Sequence, residues 1–267
     1  MRDITLGQFV AGNSIVHKLD PRTKIAMMIL YIAMTFLVSR IYFFVIPFAY
    51  MLAELLLSHI SPKYILKSLK PIRFLLIFMF LLNLIFTSGE TVILDLGFWQ
   101  LTLEAILQSV FLTIRIVLLV AGASMLTLTT SPIALTDGIE RLLTPLKVLH
   151  FPAHELAMMM TIALRFIPTL MDESEKIKNA QMARGADFES GNLIRRVKSM
   201  IPILIPLFVS SFRKADELAT AMESRCYHGG EGRTKMHQLK FKLPDLYAIL
   251  ITLACIGVLV VFLVLFP

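Results

Sequence analysis

Five stretches of the chain carry almost no charge, and their lengths set the fold class. Residues 25–39 and 41–53 are two short apolar windows on either side of Arg40, and residues 74–89 form a third. A long run over 116–136 extends upstream through Arg115 to about Leu103, and residues 246–267 close the chain. A helix needs about 20 predominantly apolar residues to cross the hydrocarbon core of a bilayer. The last window meets that length alone, and the fourth meets it with Arg115 included. The first two predict a helical hairpin turning near Ser39 and Arg40, with Pro47 near the start of the returning helix; one long, bent helix is the other reading. About five spans are expected, with four as the alternative.

Composition narrows the class further. Of 267 residues, 57% are hydrophobic and 17% charged, and the mean hydropathy is +0.75. A soluble domain is about 45–50% apolar and about 25% charged. A soluble enzyme, a disordered chain and a disulfide-stapled secreted domain are therefore excluded. Cys226 and Cys255 have no metal-ligand spacing around them and read as free thiols. The first 24 residues are polar and end in charge, so no cleavable leader is expected and the chain inserts through its own spans.

Charge gives an orientation. The chain holds 26 Lys and Arg against 19 Asp and Glu, a net +7. Arg2, Lys18, Arg22 and Lys24 precede the first window; Lys63, Lys67, Lys70 and Arg73 lie between the second and third. The loop over 87–102 has Glu90, Asp95 and Trp99 but no basic residue. By the positive-inside rule that loop is external and the N-terminus cytoplasmic. Five spans then put the C-terminus outside.

Residues 131–245 hold most of the charge of both signs. They read as a cytosolic insertion before the last span. Pro132 and Pro152 start segments; 151–184 and 192–226 read as long helices, the first open to a kink at Pro168, the second broken or bent at Pro202 and Pro206. Gly185 and Gly191 bracket a turn, and Gly229, Gly230 and Gly232 end the second helix. With no repeat and no β-rich run, the fold class is all-α: a polytopic membrane protein whose helical coupling domain is cytosolic or interfacial. The expected divisions are 1–130 for the N-terminal membrane domain, 131–245 for the coupling helices and 246–267 for the last span.

Those cytosolic helices are too apolar for the single stripe of a soluble helix. Met158, Met159, Met160 and Ile162 crowd the first, and Leu204 and Phe208 lie in an apolar run of the second. Such faces lie along the membrane or pack under the spans, or serve as a sliding surface for another membrane protein. Flexible, polarizable methionines suit a surface that repacks against several partners.

Two motifs are misleading. Gly7-x4-Gly12-Asn13-Ser14 lacks the lysine that a phosphate loop requires. His150 and His154 stand four apart with Glu155 beside the second, but Pro152 interrupts a continuous helix and the zincin order places the glutamate after the first histidine. Surface histidines are the simpler reading, and a membrane metalloenzyme using His150, His154 and Glu155 is the alternative from another class. A self-contained channel or secondary transporter would predict several intramembrane charges and an inverted repeat, neither of which the sequence carries. Arg115 costs about 2.5–3.5 kcal/mol in lipid on insertion scales, so it must be paired, solvated or turned to protein, with Glu54 and Asn83 as the polar candidates.

The strongest constellation is Ala183-Arg184-Gly185 with Ser224-Arg225-Cys226. Each arginine sits at the C-terminus of a predicted long helix, where the dipole favours a cation by about 0.3–1 kcal/mol. Two similar helix ends also suit two similar receptors, because a planar guanidinium anchors well in a groove.

At this point a resemblance enters. Leu19-Asp20-Pro21-Arg22-Thr23-Lys24, Thr129-Thr130-Ser131-Pro132, Pro152-Ala153-His154-Glu155-Leu156-Ala157-Met158-Met159-Met160, Leu164-Arg165-Phe166-Ile167-Pro168 and Met182-Ala183-Arg184-Gly185-Ala186 resemble the transmembrane (T) subunit of energy-coupling factor (ECF) transporters, of the group type that shares one module among several vitamin-binding components. The resemblance implies two cytosolic ABC-type ATPases, one docking at Ala183, Arg184 and Gly185, the other at Ser224, Arg225 and Cys226. Because alanine and glycine of the motif are replaced at the second tip, a non-identical ATPase pair is expected. It also implies a substrate-binding membrane S component, one or several in exchange, here assigned to Met158, Met159, Met160, Ile162, Leu204 and Phe208. ATP and Mg are then held by the ATPases, this chain holds no cofactor or metal and does no catalysis, and the complex sits in the cell membrane. A T subunit of a dedicated cobalt or nickel importer is the alternative within the family.

Overall fold

The computed structural model describes residues 9–89, 91–95, 100–145, 152–188, 192–229 and 239–265. The chain divides into two compact units. One comprises Gly7–Gly138 with Leu239–Pro267, and the other is built on Ile139–Gln238.

In the first unit, α1 (Ile15–Lys18) is followed by α2 (Pro21–Leu37), a short 3-10 turn (Ile41–Phe44), α3 (Val45–Ser58), α4 (Pro62–Leu69), α5 (Arg73–Phe86), strands β1 (Val92–Asp95) and β2 (Gln100–Thr102), and α6 (Leu103–Thr129). Helix α11 (Leu243–Leu265) returns to this unit. The start of α2 follows from its sequence. The Asp20 side chain accepts the Arg22 N–H at 3.0 Å, and Pro21 occupies the first turn, where no N–H is needed. Thr102 caps α6 in the same way through the Ala105 N–H. The expected turn near Ser39 and Arg40 is present: α2 stops at Leu37 and the chain resumes helical geometry at Ile41.

Among the described residues, three helical segments are long and apolar enough to cross a membrane: Ile41–Ser58, Leu103–Thr129 and Leu243–Leu265. A fourth arises if α4 and α5, bent by 61° at their junction, count as one. Length and composition thus give three or four candidate spans, the upper figure being the alternative count from the sequence; α2, with 17 residues, sits at the lower limit of a crossing. The apolar window expected over 116–136 also ends early: α6 stops at Thr129, and Pro132 opens a new helix, α7 (Pro132–Leu143). The loop expected over 87–102 contains a two-stranded antiparallel hairpin with an irregularity between Val92 and Leu94, a small departure from an otherwise all-α fold. Trp99 and Glu90 lie outside the described residues.

The core of this unit packs α2, α3, α6 and α11 together. Met34, Met125, Leu128 and Leu259 are fully buried. Tyr31 donates to the Leu118 carbonyl at 3.1 Å, Tyr50 hydrogen-bonds with Thr252 at 2.9 Å, and the two rings stack 5.7 Å apart. Gly122 allows this approach, since a Cβ there would strike the Tyr31 ring. Much of the remaining apolar surface is exposed, including Phe48, Leu52, Phe78, Ile251 and Val261. In water that exposure would be a liability; in lipid it is the expected exterior.

Arg115 finds its partners inside the protein. Its Nη2 donates to the Val38 carbonyl at 2.6 Å, and its guanidinium lies 4.6 Å from the Phe111 ring centroid and 5.8 Å from that of Phe36. Val38 follows the last turn of α2, so the cation satisfies a carbonyl that the helix leaves open. Neither Glu54 nor Asn83 is its partner. Asn83 donates to the Met79 carbonyl at 2.9 Å. Glu54 lines a small cavity with Lys24, Tyr31 and Tyr50.

The second unit contains α8 (Ala153–Ala183), α9 (Leu193–Ser199) and α10 (Ile201–Ser224). Helix α8 continues through Pro168. The break expected at Pro202 or Pro206 falls instead at Met200: Pro202 occupies the first turn of α10, where it is tolerated, and Pro206 is absorbed within the helix.

Candidate functional site

The two arginines singled out by the sequence end their helices in the same way. Helix α8 stops at Ala183 and α10 at Ser224, so Arg184 and Arg225 are the capping residues rather than the last helical ones. After Arg184, the Gly185 N–H donates to the Met182 carbonyl at 2.9 Å and the Ala186 N–H to the Gln181 carbonyl at 3.0 Å. After Arg225, the Cys226 N–H donates to the Glu223 carbonyl at 2.9 Å and the Tyr227 N–H to the Met222 carbonyl at 3.0 Å. Both are Schellman caps, which need a residue in the left-handed region just past the capping residue. Gly185 adopts φ 86° and Cys226 φ 56°. The backbones of the two tips are therefore equivalent although their sequences are not. All six residues, Ala183, Arg184, Gly185, Ser224, Arg225 and Cys226, are exposed.

Two contacts set the relation of the helices. Lys214 Nζ of α10 lies 3.6 Å from Glu173 Oε2 of α8. The Tyr227 hydroxyl, just past α10, donates to the Met158 sulfur near the start of α8 at 3.1 Å. As α8 advances from 158 to 173, the facing positions on α10 retreat from 227 to 214. The helices are antiparallel, and the two arginine tips lie at opposite ends of the pair. At 1.5 Å per residue, the stretch of α8 from Met158 to Arg184 separates them by about 40 Å. A two-fold rotation across the pair exchanges one tip for the other.

The apolar residues assigned to docking divide into two groups. Met159, Met160, Leu204 and Phe208 are exposed. Phe208 stacks on Phe212 at 6.4 Å, one turn on, and Leu204, Phe208 and Phe212 continue one stripe along α10. Ile162 is half-buried. Met158 is half-buried too, and its sulfur is taken by Tyr227, so it joins α8 to α10.

His154 does not combine with Glu155. Its Nδ1 lies 3.0 Å from Glu140 Oε1 on α7, while Glu155 is exposed on the first turn of α8. His150 lies outside the described residues. Among the described residues no three His, Cys, Asp or Glu side chains come together as a metal site.

The sequence reading missed one network. Asp245, buried at the start of α11, accepts the Asp20 N–H at 2.7 Å and the Lys242 N–H at 2.8 Å. Arg22 lies 3.4 Å from Asp20 and donates to the Leu239 carbonyl at 3.1 Å. Lys24 donates to the carbonyls of His17 at 3.1 Å and Thr129 at 2.9 Å. The segments 19–24 and 129–132, noted in the sequence as separate motifs, thus meet: one caps α2, and the other supplies an acceptor for Lys24 and, through Ser131, a cap for α7.

Comparison with known proteins places most of the chain in one family. The family model of CbiQ, a cobalt transport protein, matches residues 12–236. The energy-coupling factor transporter transmembrane protein EcfT of Thermosediminibacter oceani is 51% identical over 252 residues, covering 94% of this chain and 95% of its own. The protein of the same name from Ruminiclostridium cellulolyticum is 52% identical over 262 residues, covering 98% and 95%. That of Bacillus subtilis is 43% identical over 263 residues, covering 98% and 99%.

Proposed function

The chain belongs to the CbiQ family of cobalt transport proteins, among the transmembrane subunits of energy-coupling factor transporters, and we propose on this premise that it is a lever between two ATPases and a cargo-binding membrane protein. Arg184 and Arg225 seat in grooves of two cytosolic ABC-type ATPases. ATP binding closes the ATPase pair, the tips move with it, and α8 and α10 shift against each other. Their apolar faces, at Met159, Met160, Leu204 and Phe208, move or release an S component, which reorients and delivers its cargo. The chain breaks no bond. Its contribution is a difference in contacts between two states, without which no ligand can drive a change.

One observation carries this reading: two equivalent arginine caps at opposite ends of an antiparallel helix pair. That two-fold relation is the one a pair of similar receptors presents. The unlike side chains around the second arginine favour a pair of non-identical ATPases. We propose a vitamin or related micronutrient as cargo, with the N-terminus cytoplasmic. The description of the matched family favours a second reading, a dedicated cobalt or nickel importer.

The test is ATP-driven uptake by the reconstituted complex carrying Arg184→Ala, Arg225→Ala or both. The double variant is expected to lose uptake and to co-purify with less ATPase. Wild-type transport by an assembled double variant would remove the lever role. Met159→Ser with Met160→Ser should weaken S-component capture and spare ATPase binding; loss of the ATPases instead would mean that the faces are wrongly assigned. Mass spectrometry of the co-purifying subunits, followed by uptake of their cognate vitamin or metal ion, separates the two cargo readings.

A further inference from the structure

We propose that α4 and the start of α5 form a binding face for anionic phospholipid headgroups. Lys63, Lys67 and Lys70 stand at i, i+4 and i+7, a spacing that gathers them on one side of α4. All three are exposed, as is Arg73 at the first position of α5. The opposite side of α4 buries Ile65 and Ser68 and packs on α6. No acidic residue occurs between Glu54 and Glu90, and among the described residues none of the four cations forms an ion pair. Within the described residues the positive face is therefore uncompensated.

The neighbouring side chains identify what compensates it. Leu66 is 66% exposed and Phe74 80% exposed beside these cations, and Tyr64 is exposed with them. Lysine stems running over apolar side chains, with their ammonium groups at the polar boundary, are the arrangement of a helix lying in a membrane interface. The geometry agrees: α4 is inclined by 61° to α5, so the amphipathic α4 turns away from the line along which the apolar α5 enters the bilayer. A soluble acidic partner would match the charge but not the apolar residues among it. Clustered basic residues next to a membrane helix attract anionic lipid.

The full chain, reconstituted in phosphatidylcholine bilayers, is probed with trace spin-labelled phosphatidylglycerol or spin-labelled phosphatidylcholine. The motionally restricted fraction of each lipid reports its association with the protein. Wild type is expected to favour phosphatidylglycerol by roughly threefold, with the preference shrinking as salt rises. Lys63→Gln, Lys67→Gln and Lys70→Gln together should abolish most of it, and the corresponding Lys→Arg set should keep it. Lys176→Gln with Lys178→Gln, exposed on α8, should leave it unchanged. Undiminished selectivity in the glutamine variant overturns the proposal, and so does an equal fall in the α8 control. Loss of a co-purifying subunit with lipid selectivity intact also overturns it, by marking the face as a protein interface. Should the triple variant fail to reconstitute, Lys67→Gln and the wild-type salt titration decide, and a salt-insensitive preference counts against it.

Discussion

Gly185 and Cys226 hold the same place in two copies of one backbone cap, at φ 86° and 56° respectively. Glycine enters the left-handed region freely, whereas a residue with a Cβ is penalised there by about 1–2 kcal/mol. The second tip is thus built from a less suitable residue yet folds alike, because the Cys226 and Tyr227 amides close onto the end of α10.

Cys226→Gly is expected to stabilise the protein by about 1 kcal/mol, and Gly185→Ala to destabilise it by about as much. Apart from Gly185 itself and its two chain neighbours, nothing among the described residues lies within 4 Å of the missing Cβ, so the effect is conformational rather than steric. Thermal unfolding of the purified protein in detergent measures both.

Guanidinium shape, not charge alone, should decide docking. Arg184→Lys and Arg225→Lys keep the cation but lose the planar fork. Each is expected to weaken ATPase binding by roughly tenfold, about 1.4 kcal/mol. Biolayer interferometry against immobilised ATPase reads the change. Unaltered affinity in both variants would leave the arginines with a dipole role only.

Arg115→Met should destabilise the membrane unit by about 1–3 kcal/mol, because the Val38 carbonyl would be left without its donor. Arg115→Lys should recover part of the loss by reaching the same carbonyl. The measurement is the thermal midpoint in detergent. A midpoint equal to wild type for the methionine variant would show that the contact is dispensable.

Asp245→Asn should be more damaging than its small size change implies. Both carboxylate oxygens accept backbone N–H groups, from Asp20 and Lys242. An amide presents a donor to one of them, leaving a buried N–H unpaired at about 1–3 kcal/mol. Asp245→Glu keeps both acceptors but pushes a longer side chain into a site where Asp245 is 1% exposed. Comparison of the three unfolding curves separates lost acceptance from crowding.

How much of this was legible in the sequence follows from the range of each interaction. The start of α6 near Leu103, the break near Arg40 and both arginine tips rest on neighbours a few residues apart, and all were readable. The start of α2 at Pro21 was not read: the first apolar window opened at residue 25, although Asp20 and Pro21 form a local start signal of the same short range. The pairings of Asp20 with Asp245 and of Glu140 with His154 join segments far apart in sequence, or side chains whose approach depends on packing. No spacing rule encodes them. The antiparallel run of α8 and α10 was equally hidden, since a Tyr227 to Met158 contact leaves no periodic trace. The break at Met200 was misplaced because Pro202 marks the opening of a helix as readily as the end of one.

The residue that strains the second cap also exposes a thiol beside Arg225, while Cys255 is half-covered within α11. A thiol-reactive dye would therefore mark that one tip selectively in the unaltered protein. Slower attachment in the presence of an ATPase would support the proposed seating of Arg225, and an unchanged rate would count against it.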